Sequence, residues 1–137
     1  MLNAVTPGGE GRQSIMLRAR PAAAREARVW LNDVSAQLLE QPRRADLELV
    51  VSEIVTNAIR HGRPDGDILL AATPKDEFLC VQVTDDGPGL VPRPGAMGSD
   101  ENGGFGLFLV ERLTRRWGVT REGGRTRVWF ELDYVGG

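Results

Sequence analysis

Ser52-Glu53-Ile54-Val55-Thr56-Asn57-Ala58-Ile59-Arg60-His61-Gly62 is the stretch on which the reading of this chain turns. Around it Leu47, Val50, Val51, Ile54 and Ala58 recur at helical spacing and already make a complete apolar face. The polar residues are therefore extra detail. At roughly 100° per residue, Glu53, Asn57, Arg60 and His61 fall within a stripe about 100° wide beside that face. A carboxylate, an amide oxygen, a fixed cation and an imidazole suit an anionic ligand that carries a hard metal. An amide oxygen can ligate Mg²⁺, Arg can pair with phosphate oxygens, and a carboxylate can take a proton. Nucleotide phosphate is the natural candidate. Taken singly, Glu53 and Asn57 also fit a solvated helix edge, and His61 fits a helix-end residue favoured by the C-terminal dipole.

Working outward, this helix is expected from Arg43 to about Arg60, stopping at His61-Gly62 with Pro64 as a further breaker. Upstream, residues 1–13 are expected to be disordered, Ser14 to Leu17 reads as a short strand, and Pro21 suits a first helical turn. Ala22 to Glu40 then reads as a helix, with Ala27, Trp30, Leu31, Val34, Leu38 and Leu39 at helical spacing and Gln41-Pro42 as its end. Downstream, Asp67–Thr73 and Glu77–Thr84 flank the short turn Pro74-Lys75-Asp76 and predict an antiparallel hairpin. The pattern collapses from Gly87 to Gly106, which hold seven of the seventeen Gly and three of the eight Pro. A loop this long in a compact domain is usually functional or disordered. Leu107 to Trp117 regains helical periodicity, and Trp117–Arg121 and Thr126–Asp133 read as closing strands around Gly123-Gly124. The sum is α+β: a two-layer α/β sandwich with a mixed, mostly antiparallel sheet and helices on one face.

Two other segments carry chemistry. Asp85-Asp86-Gly87-Pro88-Gly89 follows a strand, so a carboxylate meets backbone that a ligand can approach without interference from a Cβ. An acceptor placed there can take the exocyclic amine of adenine, although the same residues also fit a plain turn. Gly103-Gly104-Phe105-Gly106-Leu107 opens a helix, where free N–H groups favour anions, although such clusters also serve as hinges. The Lys-Ser/Thr pair of a Walker A motif is missing, which excludes an ordinary P-loop.

In order along the chain, Glu53-x-x-x-Asn57-Ala58-x-Arg60-His61, Asp85-x-Gly87-x-Gly89 and Gly104-x-Gly106-Leu107 resemble the N, G1 and G2 boxes of the GHKL superfamily of ATP-binding domains. The stretch from Ser52 to Gly62 looks like that of the anti-sigma-factor serine kinases of the RsbW type. The resemblance covers about Ser14 to Asp133 and implies a Bergerat fold (HATPase_c) with residues 14–137 as one domain. It implies ATP and Mg²⁺ as cofactors, with Asn57 as the metal ligand and Glu53 as general base. It also places Arg60 and His61 near the phosphates and Asp85 on adenine. Gly87 and Gly89 would let the chain pass close to the nucleotide, and Gly104, Gly106 and Leu107 would form the phosphate-side end of a mobile lid.

Composition narrows the functions. The 137 residues are 41% hydrophobic and 26% charged, which is globular and has room for one core. A net charge of −2 offers no basic field for nucleic acid or an acidic membrane. Cys80 is alone, so no internal disulfide forms, and no apolar run has the length of a signal peptide or membrane span. A soluble, cytoplasmic bacterial protein is expected. The only His lies inside the N-box-like stretch, which argues against a phosphoacceptor histidine on a separate hairpin. The length leaves no room for the further domains of coupled ATPases. Two readings remain. One is a switch kinase, resembling proteins that hold a sigma factor and phosphorylate a serine on a STAS-domain anti-anti-sigma partner. The other is a non-catalytic ATP-binding partner-switch module. Homodimers are what the resemblance suggests for either.

Overall fold

The computed structural model describes residues 4–5, 11–87 and 104–136. Gly89 and the expected lid between 88 and 103 lie outside the described residues. Two strands open the chain, β1 (Ala4–Val5) and β2 (Gln13–Arg18), paired with each other. Of residues 1–13, for which disorder is expected, 1–3 and 6–10 lie outside the described residues; the others hold β1 and the start of β2.

Helix α1 spans Ala23–Val34, shorter than the expected Ala22–Glu40. Ser35 ends it: its N–H and its hydroxyl both donate to the Leu31 carbonyl, at 3.0 and 2.6 Å. Leu38 and Leu39 then bond back to the Ser35 carbonyl as a turn. A hydroxyl that competes for the helix's own acceptors favours an end over another turn. Helix α2 spans Gln41–His61, with Pro42 in its first turn, where no N–H is missed. Gln41-Pro42, expected to end the first helix, therefore begin the second. Strands β3 (Asp67–Pro74) and β4 (Phe78–Asp86) form the expected antiparallel hairpin. Helix α3 spans Gly104–Leu113, starting and ending before the expected Leu107–Trp117, and β5 (Arg116–Glu122) and β6 (Arg125–Asp133) close the chain. Between those strands Gly123 and Gly124 take φ of 59° and 77°, a two-residue turn that side chains resist.

The sheet order is β1-β2-β3-β4-β6-β5. Two helices after β2 return the chain to the end where β2 stopped, so β3 runs back beside it and Asp67 pairs with Arg18. A single helix after β4 makes β5 run the same way as β4, but β6 folds back between them. Every pairing is therefore antiparallel, and the parallel component of the expected mixed sheet does not occur among the described strands.

One face of the sheet is buried beneath the helices. Leu17 pairs with Ile68, Leu70 with Val83, Val81 with Phe130 and Leu79 with Leu132, all buried. They pack in one cluster with Leu31 from α1 and with Leu47, Val50, Val51, Ile54 and Val55 from α2. At about 25 cal/mol per Å² of apolar area removed from water, this layer contact is the main stabilising term. No helix among the described residues is long and apolar enough to cross a membrane.

Candidate functional site

Strand β4 alternates strictly: Leu79, Val81, Val83 and Asp85 are buried, while Phe78, Cys80, Gln82, Thr84 and Asp86 are half-buried. Asp85 thus stands where the next core side chain would be. It is only 6% exposed, and its Oδ1 is buried without a hydrogen-bond partner among the described residues. Burial first, and the like charge of Asp86 second, push its carboxyl up to about 6, with Arg121 opposing them. A buried acceptor without a donor costs free energy unless something supplies one.

The end of α2 meets this carboxylate. A β-carbon on Gly62 would sit 3.1 Å from Asp85 Oδ1. The next residue, Arg63, donates its N–H to the Asp86 carbonyl at 3.1 Å. Upstream on α2, Asn57 is 6% exposed, Glu53 and His61 are half-buried, and Arg60 is exposed. Asn57 is therefore no solvated edge residue. His61 Nε2 is a second buried atom without a partner among the described residues.

Gly87 continues β4 at φ 123°, a conformation side chains rarely adopt, and a β-carbon there would meet the Arg63 nitrogen at 3.2 Å. Its N–H donates to the Gly124 carbonyl at 2.9 Å, and its carbonyl accepts from Thr126 Oγ1 at 3.1 Å. Gly104, Gly106 and Leu107 lie in the first turn of α3, which packs on α2. The free N–H groups of a helix start favour anions. The structure thus brings the N-box-like helix end and the G1-like strand end together, and puts the G2-like segment on the helix packed against the first.

The strand pairing adds residues that the one-dimensional reading missed. Ile68, Asp85, Thr126 and Arg121 are successive register partners across β3, β4, β6 and β5, so they share one face of the sheet. Thr126, 1% exposed, stands beside Asp85, and Arg121 lies one strand further. Neither position stands out in the sequence, because only the insertion of β6 beside β4 makes them neighbours of Asp85.

These residues fit a magnesium nucleotide. Asp85 Oδ1 is an acceptor without a donor among the described residues and suits an amine, and Gly62 and Gly87 keep the backbone around it bare. Among the described residues no three His, Cys, Asp or Glu side chains gather to hold an ion. A cation here would need the ligand's phosphates as partners, which is how Mg²⁺ is usually held.

The histidine kinase-like ATPase domain model matches residues 17–132. The chain is 30% identical over 115 residues to the serine-protein kinase RsbW of Listeria monocytogenes, and equally to that of Listeria innocua, with 73% of each chain covered. Among solved structures it is similar to the RsbU and RsbW domains of a Mycobacterium tuberculosis protein, with a TM-score of 0.69 and 26% identity. That match covers 89% of this chain and 32% of the solved one, so the chain spans about a third of that protein. The Acinetobacter baumannii histidine kinase AdeS shares the fold, at TM-score 0.56 and 15% identity, over 89% of this chain and 68% of its own. The two-layer sandwich is thus the Bergerat fold, and the chain belongs to the histidine kinase-like ATPase domain family of the GHKL superfamily, with relatives among its RsbW-type serine-protein kinases.

Proposed function

We propose that the protein is a regulatory serine/threonine protein kinase of the anti-sigma-factor type. It binds Mg-ATP, phosphorylates a serine on a STAS-domain anti-anti-sigma partner, and sequesters a sigma factor in the bacterial cytoplasm. The observation that carries this reading is the buried Asp85 carboxylate beside the end of the Glu53-Asn57 helix, its Oδ1 without a hydrogen-bond partner among the described residues. It is supported by the likeness to proteins named serine-protein kinase RsbW.

In this reading Asp85 accepts from the adenine amine, and Gly87 and Gly89 let the chain run close to the base. Asn57 offers its amide oxygen to Mg²⁺, while Arg60, His61 and the α3 start, Gly104, Gly106 and Leu107, face the phosphates. When bound, Mg-ATP supplies the transferable phosphoryl group and the cation that offsets its charge. Glu53 would hold the partner's serine hydroxyl and take its proton as that oxygen bonds to the γ-phosphorus, while the bond from that phosphorus to the β–γ bridging oxygen breaks and ADP leaves. Catalysis is then mainly positioning and electrostatics.

The test is incubation of the protein with γ-labelled ATP, Mg²⁺ and a STAS-domain protein encoded beside it. Label on a partner serine is expected. Tight ATP binding and sigma-factor capture without transfer would instead make the chain a non-catalytic partner-switch module. Absence of ATP binding would overturn both.

A further inference from the structure

The turn between β5 and β6 lies far from Asp85 in sequence, yet it holds the end of the strand that carries Asp85. Asp86 and Arg125 are direct register partners, with Arg125 Nε 3.3 Å from Asp86 Oδ1. Asp86 also accepts from the Asp67 N–H, at 3.4 Å from the start of β3. One residue on, Gly87 hangs between the Gly124 carbonyl and the Thr126 hydroxyl. Three consecutive residues of the hairpin, Gly124, Arg125 and Thr126, therefore grip Asp86 and Gly87, the two residues that follow Asp85. Arg125 is exposed, its side chain 56% accessible, and contributes nothing to the core.

We propose that Arg125 is a positioning residue for the base-reading carboxylate: its ion pair with Asp86 fixes the end of β4 and keeps the Asp86 charge turned away from Asp85. This rests on the reading of Asp85 as the adenine acceptor and assigns a role to a residue outside the three boxes. Asp86 points to the sheet face without helices and Asp85 to the helical face, so the pair acts on Asp85 through backbone placement and through charge. With Arg125 gone, Asp86 keeps a full charge next to a buried carboxylate whose titration its charge already raises. The other charged and titratable groups around this strand end are Glu122 on β5, the register partner of Arg125 on its other side, Arg121 on β5, Asp67 on β3, His61 at the end of α2 and Arg63 just beyond it.

The experiment compares the full chain with Arg125→Ala, Arg125→Lys, Asp86→Asn and the double variant Asp86→Asn/Arg125→Ala. Calorimetry gives ATP affinity, and carboxyl NMR gives the Asp85 titration in the ligand-free protein. Arg125→Ala should weaken ATP roughly five-fold, the scale of a partly exposed pair, and move the Asp85 midpoint upward. Arg125→Lys should restore both, and in the Asp86→Asn background the Arg125→Ala change should have no effect. Unchanged affinity and midpoint in Arg125→Ala, or an undiminished effect in the Asp86→Asn background, overturns the proposal. If the parent protein itself fails to bind ATP, the nucleotide reading falls. The NMR titration then still decides: an upward shift that Lys reverses supports the Arg125 role, and no shift ends it.

Discussion

Gly62 faces Asp85 across the gap between helix and sheet, with no room for a side chain between them: a β-carbon on Gly62 would lie 3.1 Å from Asp85 Oδ1 and 2.5 Å from the Ala58 carbonyl. Gly62 has φ −89°, which any residue adopts, so glycine is required there for space. Gly62→Ala must push either the end of α2 or the Asp85 carboxylate aside. The expected result is destabilisation of about 1–3 kcal/mol, the usual cost of overpacking, with ATP affinity reduced at least about ten-fold. Thermal unfolding and calorimetry on this variant check both. Parental affinity would mean that the carboxylate beside Gly62 is not in the nucleotide site.

Asp85 itself makes ligand-free stability depend on pH. Its carboxyl is raised from 3.8 to about 6, so between those values the folded chain binds more protons than the unfolded one. Stability from this group therefore falls as pH rises through that window, and the cost is complete above it, at about 1–3 kcal/mol once solvent screening is allowed for. Asp85→Asn should flatten this part of the profile and stabilise the empty protein at pH 7.5, less whatever the buried amide costs. Asp85→Ala should lose both ATP affinity and the preference for ATP over GTP. Urea unfolding across pH 4 to 8 and nucleotide competition measure the two effects; an unchanged stability profile in Asp85→Asn would contradict the buried charge.

What was legible in the sequence follows from the range of each signal. The apolar face of α2 and the β3–β4 hairpin are local patterns, and both appear as read from Leu47, Val50, Val51, Ile54 and Ala58 and from the turn at Pro74-Lys75-Asp76. The end of α1 has no such pattern, because it depends on one hydroxyl, Ser35, binding back to Leu31. Gln41-Pro42 reads as a stop in the sequence because proline marks both a helix end and a helix start. The candidate site divides the same way. Asp85 and Asn57 carry local signals, whereas Thr126, Arg121 and Arg125 join Asp85 and Asp86 only through the pairing of β6 with β4 and β5.

Asn57 gives a test of metal dependence. It is buried on α2, and no cluster of acidic, His or Cys side chains among the described residues would hold a cation in its place. Asn57→Ala should weaken ATP binding by ten-fold or more with Mg²⁺ present, roughly the worth of one lost metal ligand, and change metal-free binding little. Calorimetry with and without Mg²⁺ separates the two, and equal losses would remove Asn57 from the metal site.

Glu53 allows chemistry and binding to be separated. It stands on α2 one turn before Asn57 and about two and a half turns before Gly62, which faces Asp85, and it is half-buried, so in the proposed mechanism it meets the incoming hydroxyl and not the base. Glu53→Ala should lower transfer to the partner serine by about 10²–10⁴-fold, the usual contribution of a positioned base. ATP affinity should stay within a few-fold and the unfolding midpoint close to the parent. A Glu53 that only packs would lower transfer, affinity and stability together, and one that only decorates the surface would lower none. Single-turnover transfer, calorimetry and thermal unfolding on this one variant distinguish the three roles. Transfer at the parental rate would move the base to another residue.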